Sequence, residues 1–300
     1  MSTAGIYTIG VVCTVGVGPE KGGRARNEDN YLIGRDGEVR VRLGEREHRT
    51  EARSDAALVL AVADGMGGHD DGETASTKTV QAIARLYGRP RPPDVEGGLR
   101  DFVLETHHRL RPTVAVSGVV KMGTTLTLLW IVGGRVYWTH VGDSRLYVVR
   151  DGRMLTVTRD QTRAEFARRD GRPEPLHPHH LSQNFLYGSR GLGHDESLRI
   201  DRGVDTGSFT LRARDRLLLC SDGLHGFVEE AAIYSALTSG DAQGAAAALV
   251  GTALAANSED NVTALVLDVT GDPRAHHERA PREEWEEPST TLVPAGYDTE

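Results

Sequence analysis

Cysteine and long apolar runs are both scarce in this chain, and each scarcity removes a class of protein. Two cysteines among 300 residues, Cys13 and Cys220, cannot build a disulfide framework or a four-ligand zinc site, so both read as reduced thiols. No run approaches the ~18 consecutive apolar residues of a membrane-spanning helix, and the N-terminus has no basic stretch followed by an apolar one. These features set the expectation of a cytoplasmic protein with no membrane span. Positive charge is also short, with 35 Lys and Arg against 43 Asp and Glu and a formal net charge of −8. Residues 271–300 carry eight acids and three arginines, which leaves −3 on the rest. Such a body does not favour nucleic acid.

What is present is an ordinary globular balance, 38% hydrophobic and 26% charged. Apolar runs that alternate with polar residues or end in turn signals predict strands at Ile6–Val15, Ala57–Ala63, Thr124–Val132, Arg135–Val141, Arg145–Val149, Arg214–Cys220 and Val262–Val269. The links Gly133-Gly134 and Asp151-Gly152 are two-residue hairpin connections that accept positive φ. They force antiparallel pairing, because parallel neighbours need a crossover of about a dozen residues or more. Helical periodicity appears over Glu73–Leu86, Val95–Leu110, Glu229–Leu237 and Ala242–Ala256. The expected fold is therefore α+β: a four-layer α-β-β-α sandwich of two antiparallel sheets flanked by antiparallel helix pairs. One domain should occupy residues 1–269, followed at 270–300 by a disordered acidic tail. The charged segment Glu38–Asp55 reads as peripheral, with a hint of an edge strand in the alternation of Val39, Val41 and Leu43.

Carboxylates recur where strands end. Ala57–Ala63 runs into Asp64-Gly65-Met66-Gly67-Gly68-His69. Val141-Gly142-Asp143-Ser144 and Cys220-Ser221-Asp222-Gly223 repeat the arrangement, and Glu259-Asp260-Asn261 stands just before the last strand. Hard cations such as Mg²⁺ or Mn²⁺ take oxygen ligands and keep several waters, so a few aspartates on rigid strand ends suffice to hold them. Asp-Gly is also the commonest turn pair, and any one of these sites alone would read as a turn. Four at strand ends favour the metal reading. Near the N-terminus, Arg24 precedes the adjacent acids Glu28 and Asp29, and an arginine grips phosphate bidentately.

With these motifs in hand, the sequence resembles the metal-dependent protein phosphatases of type 2C, the PPM family, over about residues 7–269. The carriers are RxxNED at Arg24, DGMGGH at Asp64, GTT at Gly123, GDSR at Asp143, SDG at Ser221 and EDN at Glu259, in the family's order. Met66 in the Asp64 loop looks like the bacterial branch. The resemblance implies a serine/threonine protein phosphatase that works by direct attack of a metal-bridging water, opposing a Ser/Thr protein kinase on phosphorylated proteins. It implies two Mn²⁺ or Mg²⁺ ions, with Asp64 bridging, the Gly65 carbonyl, Asp222 and Asp260 completing one site and Asp29 in the other. A third ion falls to Asp143. Glu28 takes the part of an acid that orients metal-bound water, and Arg24 that of the phosphate clamp. The proton donor to the leaving group is open between His69 and metal-bound water. Residues 159–195 lie where the family carries its flap. The alternative is a pseudophosphatase that binds phosphoproteins without turnover, betrayed by loss of a metal-binding acid; none is lost. A monomer is expected.

Overall fold

The computed structural model describes residues 6–52, 58–66, 70–115, 123–173 and 203–273. In chain order its strands begin with β1 (Tyr7–Thr14), β2 (Asn30–Arg35), β3 (Glu38–Leu43), β4 (Arg46–Glu51), β5 (Leu58–Ala63), β6 (Gly65–Met66) and β7 (Gly123–Thr124). There follow β8 (Leu126–Val132), β9 (Arg135–Val141), β10 (Arg145–Arg150), β11 (Arg153–Thr156), β12 (Asp205–Thr210), β13 (Arg216–Cys220) and β14 (Val262–Val269). They form a five-stranded sheet in the order β1-β14-β13-β10-β11, a seven-stranded sheet in the order β12-β9-β8-β5-β2-β3-β4, and the small pair β6-β7. Every pairing is antiparallel.

Side-chain alternation explains how two sheets and two helical layers share one chain. In β5, Val59, Ala61 and Ala63 face helices α1 (Asp70–Tyr87) and α2 (Val95–Ala115), while Leu58, Leu60 and Val62 face the opposite sheet. The strand reads as an unbroken apolar run because both of its faces are covered, an exception to the usual solvated face of antiparallel sheets. In β14, Leu265 and Leu267 enter the layer between the sheets, while Ala264 and Val266 face outward. After the short α3 (Arg163–Arg169), that outward face is covered by α4 (Asp222–His225), α5 (Glu230–Leu237) and α6 (Ala242–Ala255). The expected α-β-β-α sandwich is therefore the observed one.

Both expected hairpins are present. Val132 pairs with Arg135 and Arg150 with Arg153, and Gly133, Gly134, Asp151 and Gly152 all have positive φ. A third turn of the same kind, Asp36-Gly37, joins Arg35 to Glu38; the strand before it, β2, escaped the periodicity reading because Asn30 and Gly34 interrupt its apolar pattern. The segment Glu38–Asp55 is not merely peripheral. It supplies the hairpin β3–β4 at the sheet edge, with Val39 and Val41 buried in the core beneath α1 and α2. One buried ion pair braces the inter-sheet layer: Arg150 forks onto Asp215 through Nε at 2.8 Å and Nη2 at 2.5 Å.

Candidate metal centre

The acids singled out in the sequence converge because each sits where a strand ends on the same side of the sandwich. Asp64 follows β5, and its backbone is fixed from both sides by Thr125. The Asp64 amide donates to Thr125 Oγ1 at 3.0 Å, and the Thr125 amide donates to the Asp64 carbonyl at 2.8 Å. Thr125 Oγ1 also lies 2.7 Å from Ser144 Oγ, so the Gly123-Thr124-Thr125 segment couples the Asp64 loop to the residue after Asp143. Gly65 has no space for a side chain, since a Cβ there would stand 2.2 Å from the Gly72 carbonyl and 2.6 Å from that of Glu28. Gly223 is equally constrained, with the Asn261 carbonyl 2.0 Å from where its Cβ would be. Glycine at these two points lets the acid-bearing loops touch one another.

Asp29 is wholly buried at the bottom of the group. Its Oδ2 accepts hydrogen bonds from Ser221 Oγ and Thr263 Oγ1, both at 2.7 Å, while its Oδ1 has no hydrogen-bond partner. Burial pushes its pKa up to about 7, against the pull of the two hydroxyls, and Asp222 and Asp260 add repulsion. Asp64 is raised well above the ordinary carboxylate value by burial, then by Asp29, Asp222, Asp143 and Asp260. Asp222 is raised by burial and by Asp260, with a hydrogen bond from Asp64 partly offsetting the rise. Asp143 is raised by burial, then by Asp222 and Asp160. These mutual effects place the four side chains in one electrostatic unit.

Two further contacts hold the Asp143 loop. His225 Nε2 donates to the Asp143 carbonyl at 2.9 Å, tying that loop to α4, whose first residue is Asp222. Arg145 forks onto Asp160 at 2.8 and 2.7 Å. The Glu28 amide donates to Asn261 Oδ1 at 2.7 Å, and its carboxylate packs against Gly72, where a Cβ would lie 2.5 Å from Oε2. Glu28 thus stands beside the Asp64–Gly65 loop.

Arg24 is placed differently from a vacant clamp. Its Nε and Nη2 fork onto the two oxygens of Asp260 at 2.9 and 3.0 Å, with half of the Arg24 side chain exposed. His69 lies outside the described residues, as does most of the expected flap.

A divalent cation fits this group on its chemistry. The donors are oxygens, the acids repel one another, and Asp29 Oδ1 is a buried carboxyl oxygen without a partner, which a cation would satisfy. Among the described residues no three His, Cys, Asp or Glu side chains stand together in a ligand array. Arg24 on Asp260 brings one positive charge to the group.

Sequence reading missed the donors that support the acids. Ser144, Ser221 and Asn261 carried a signal, being the immediate neighbours of Asp143, Asp222 and Asp260. Thr263 and Arg42 carried none, because their contacts with the Asp29 region span long sequence separations or start from the edge hairpin.

A family model described as Protein phosphatase 2C matches residues 47–255. The serine/threonine protein phosphatase PstP of Mycobacterium tuberculosis is 35% identical over 214 residues, covering 71% of this chain and 40% of that protein. The chain therefore spans well under half the length of that relative. The serine/threonine phosphatase stp of Listeria welshimeri is 28% identical over 247 residues, covering 77% of this chain and 94% of its own. The crystal structure of the PstP catalytic domain in complex with two manganese ions superposes with a TM-score of 0.67 at 29% identity, covering 89% of this chain and 99% of that one.

Proposed function

The chain belongs to the protein phosphatase 2C family, and from that premise we propose that it is a metal-dependent serine/threonine protein phosphatase. The observation that carries the reading is the unpartnered, buried Asp29 Oδ1 within four acids that raise one another's pKa. The all-oxygen donor set suits Mn²⁺ or Mg²⁺, and the related PstP domain was crystallised with two manganese ions. In this reading Asp64, Asp222, Asp260 and the Gly65 carbonyl would hold one ion, Asp29 would help to hold a second, and Asp143 would serve a third.

When bound, such ions supply the Lewis acidity that makes water nucleophilic near neutral pH and offsets charge building on phosphorus. The chain's own residues do the rest. Thr125, Ser221 and Thr263 hold the acids in fixed orientations, so little reorganisation is left for the reaction. Glu28, beside the Asp64–Gly65 loop, orients the attacking water. Arg24 is half exposed, and its guanidinium fork matches two phosphate oxygens as well as it matches the Asp260 carboxylate. A phosphate monoester competes with Asp260 for that fork. His69 is one candidate donor to the departing serine or threonine.

The substrates in this reading are phosphorylated proteins in the cytoplasm, the counterpart is a Ser/Thr kinase, and the enzyme acts as a monomer. No helix among the described residues is long and apolar enough to cross a membrane. The deciding experiment follows hydrolysis of p-nitrophenyl phosphate and of a phosphothreonine peptide with Mn²⁺, Mg²⁺ or chelator. Turnover that needs metal supports the enzyme. A folded chain with no turnover under any metal supports instead a phosphoprotein-binding module.

A further inference from the structure

The hairpin β3–β4 has two unlike faces. Val39, Val41 and Leu43 pack toward α1 and α2, while the intervening Glu38, Arg40 and Arg42 face the other way. From its sequence that second face is a solvated charge run, and much of it is accounted for locally. Arg40 and Arg49 both bond to Glu47, which also accepts from the Tyr31 hydroxyl at 2.9 Å. Arg42 departs from this pattern. It is only partly exposed, and its Nη1 donates to the carbonyls of Asn27 at 3.0 Å and Asp29 at 2.8 Å.

Those carbonyls belong to the turn that carries Glu28 and Asp29, just before β2. The β2–β3 ladder ends at Leu32 opposite Val41, so Arg42 stands one residue past the last pair. There the guanidinium replaces the strand ladder. The neighbouring carbonyls are held from other elements: that of Arg26 by Asn261 Nδ2 at 2.9 Å, and that of Glu28 by Ser76 Oγ at 2.6 Å. Four successive peptide carbonyls thus each accept a side-chain donor, and Arg42 serves two of them. A peptide unit rotating by a few tens of degrees would swing the Asp29 carboxylate off Ser221 and Thr263, so fixing the backbone fixes the ligand.

Resting on the metal-dependent reading above, we propose that Arg42 is a positioning residue for the metal centre: its guanidinium sets the Asn27–Asp29 turn from the sheet edge, so that the edge hairpin tunes divalent-cation binding. The effect is on the affinity for the ion. Bound ions would themselves hold the Asp29 carboxylate, so turnover at saturating metal would recover.

The test titrates Mn²⁺ into the full chain by calorimetry, for wild type and the variants Arg42→Ala, Arg42→Gln, Arg42→Lys and Asp29→Asn, with thermal melts of each metal-free protein. Loss of the tether should weaken Mn²⁺ binding about 10- to 100-fold, the usual cost of removing an outer-shell partner. For Arg42→Ala and Arg42→Gln the Mn²⁺ concentration giving half-maximal turnover should rise in step, with kcat at saturating Mn²⁺ near wild type. Arg42→Lys keeps a donor able to reach a carbonyl and should fall between; it also carries the test if Arg42→Ala does not fold. Mn²⁺ affinity within twofold of wild type in the folded Arg42 variants, with Asp29→Asn impaired, would overturn the inference and leave the metal reading standing. Unchanged Mn²⁺ binding in Asp29→Asn would overturn the assignment of Asp29 as a ligand, and the role of Arg42 with it.

Discussion

Ser221 donates its hydroxyl to the Asp29 carboxylate across 192 residues of sequence, at 2.7 Å and out of contact with water. The bond joins the end of β13 to the turn before β2, and with Thr263 it holds one oxygen of Asp29 while the other is left for a ligand. The first consequence is a dependence on pH.

Asp29 has a pKa of about 7 in the folded chain against an ordinary 3.8, and Asp64, Asp143 and Asp222 shift in the same direction. Between these values these four acids bind more protons in the folded state than in the unfolded one, so their contribution to stability falls as pH rises; the buried His140 and His225, whose pKa values burial lowers, work the other way below the ordinary 6.5 and are outnumbered. The metal-free protein should therefore melt at a higher temperature at pH 5 than at pH 7.5. Added Mn²⁺ should reverse the order, because the acids must shed protons to bind it. Melting curves at both pH values, with and without Mn²⁺, check this; a metal-free melting point that rises from pH 5 to 7.5 contradicts it.

Asp222→Asn and Asp64→Asn each remove a buried charge with little change of volume. Metal-dependent turnover should fall by at least about 100-fold, the scale on which loss of one electrostatic partner at a reacting centre is felt. At pH 7.5 the metal-free variants should melt no lower than wild type, since a repelling charge has gone. Activity assays and melts on the same samples separate lost chemistry from lost fold.

Gly223→Ala places a methyl group where the Asn261 carbonyl already is, 2.0 Å from the added carbon. The loop carrying Asp260 must then move away from Asp222. A cost of about 1–3 kcal/mol in stability is expected from overpacking, with weaker Mn²⁺ binding. Chemical denaturation and metal titration measure the two effects, and a variant as stable as wild type would show that the loop yields freely.

Asp215→Ala leaves the Arg150 guanidinium buried without its carboxylate. Removing one partner of a buried pair costs about 3–5 kcal/mol. The melting temperature should drop sharply, while the Mn²⁺ affinity of the still-folded fraction stays within a few-fold of wild type, because the pair braces the sheets away from the acids. A surface-like change below about 0.5 kcal/mol would mean that water reaches Arg150.

Local signals were enough for much of this architecture. Gly133-Gly134 and Asp151-Gly152 announce tight hairpins because their backbone geometry is set by the residues themselves. The unbroken run in β5 and the periodicity of α6 likewise follow from which side chains avoid water. Asp64, Asp143 and Asp222 were legible as candidates because each directly follows, or nearly follows, a strand. β2 was not legible, since Asn30 and Gly34 break its pattern and only pairing with β3 and β5 makes it a strand.

The sequence by itself determined the strand ends, the tight turns and the acids placed at them, because those depend on neighbours along the chain. Only the tertiary structure decided what each polar group meets: Ser221 and Thr263 on Asp29, Arg24 on Asp260, Thr125 on Asp64, and Arg42 under the Asn27–Asp29 turn. A hydrogen bond needs its partners within about 3 Å and in line, and which residues come that close is fixed by sheet order and register. An apolar pattern can show which face of a strand is buried, but it does not say which distant side chain will stand opposite an acid once the layers close.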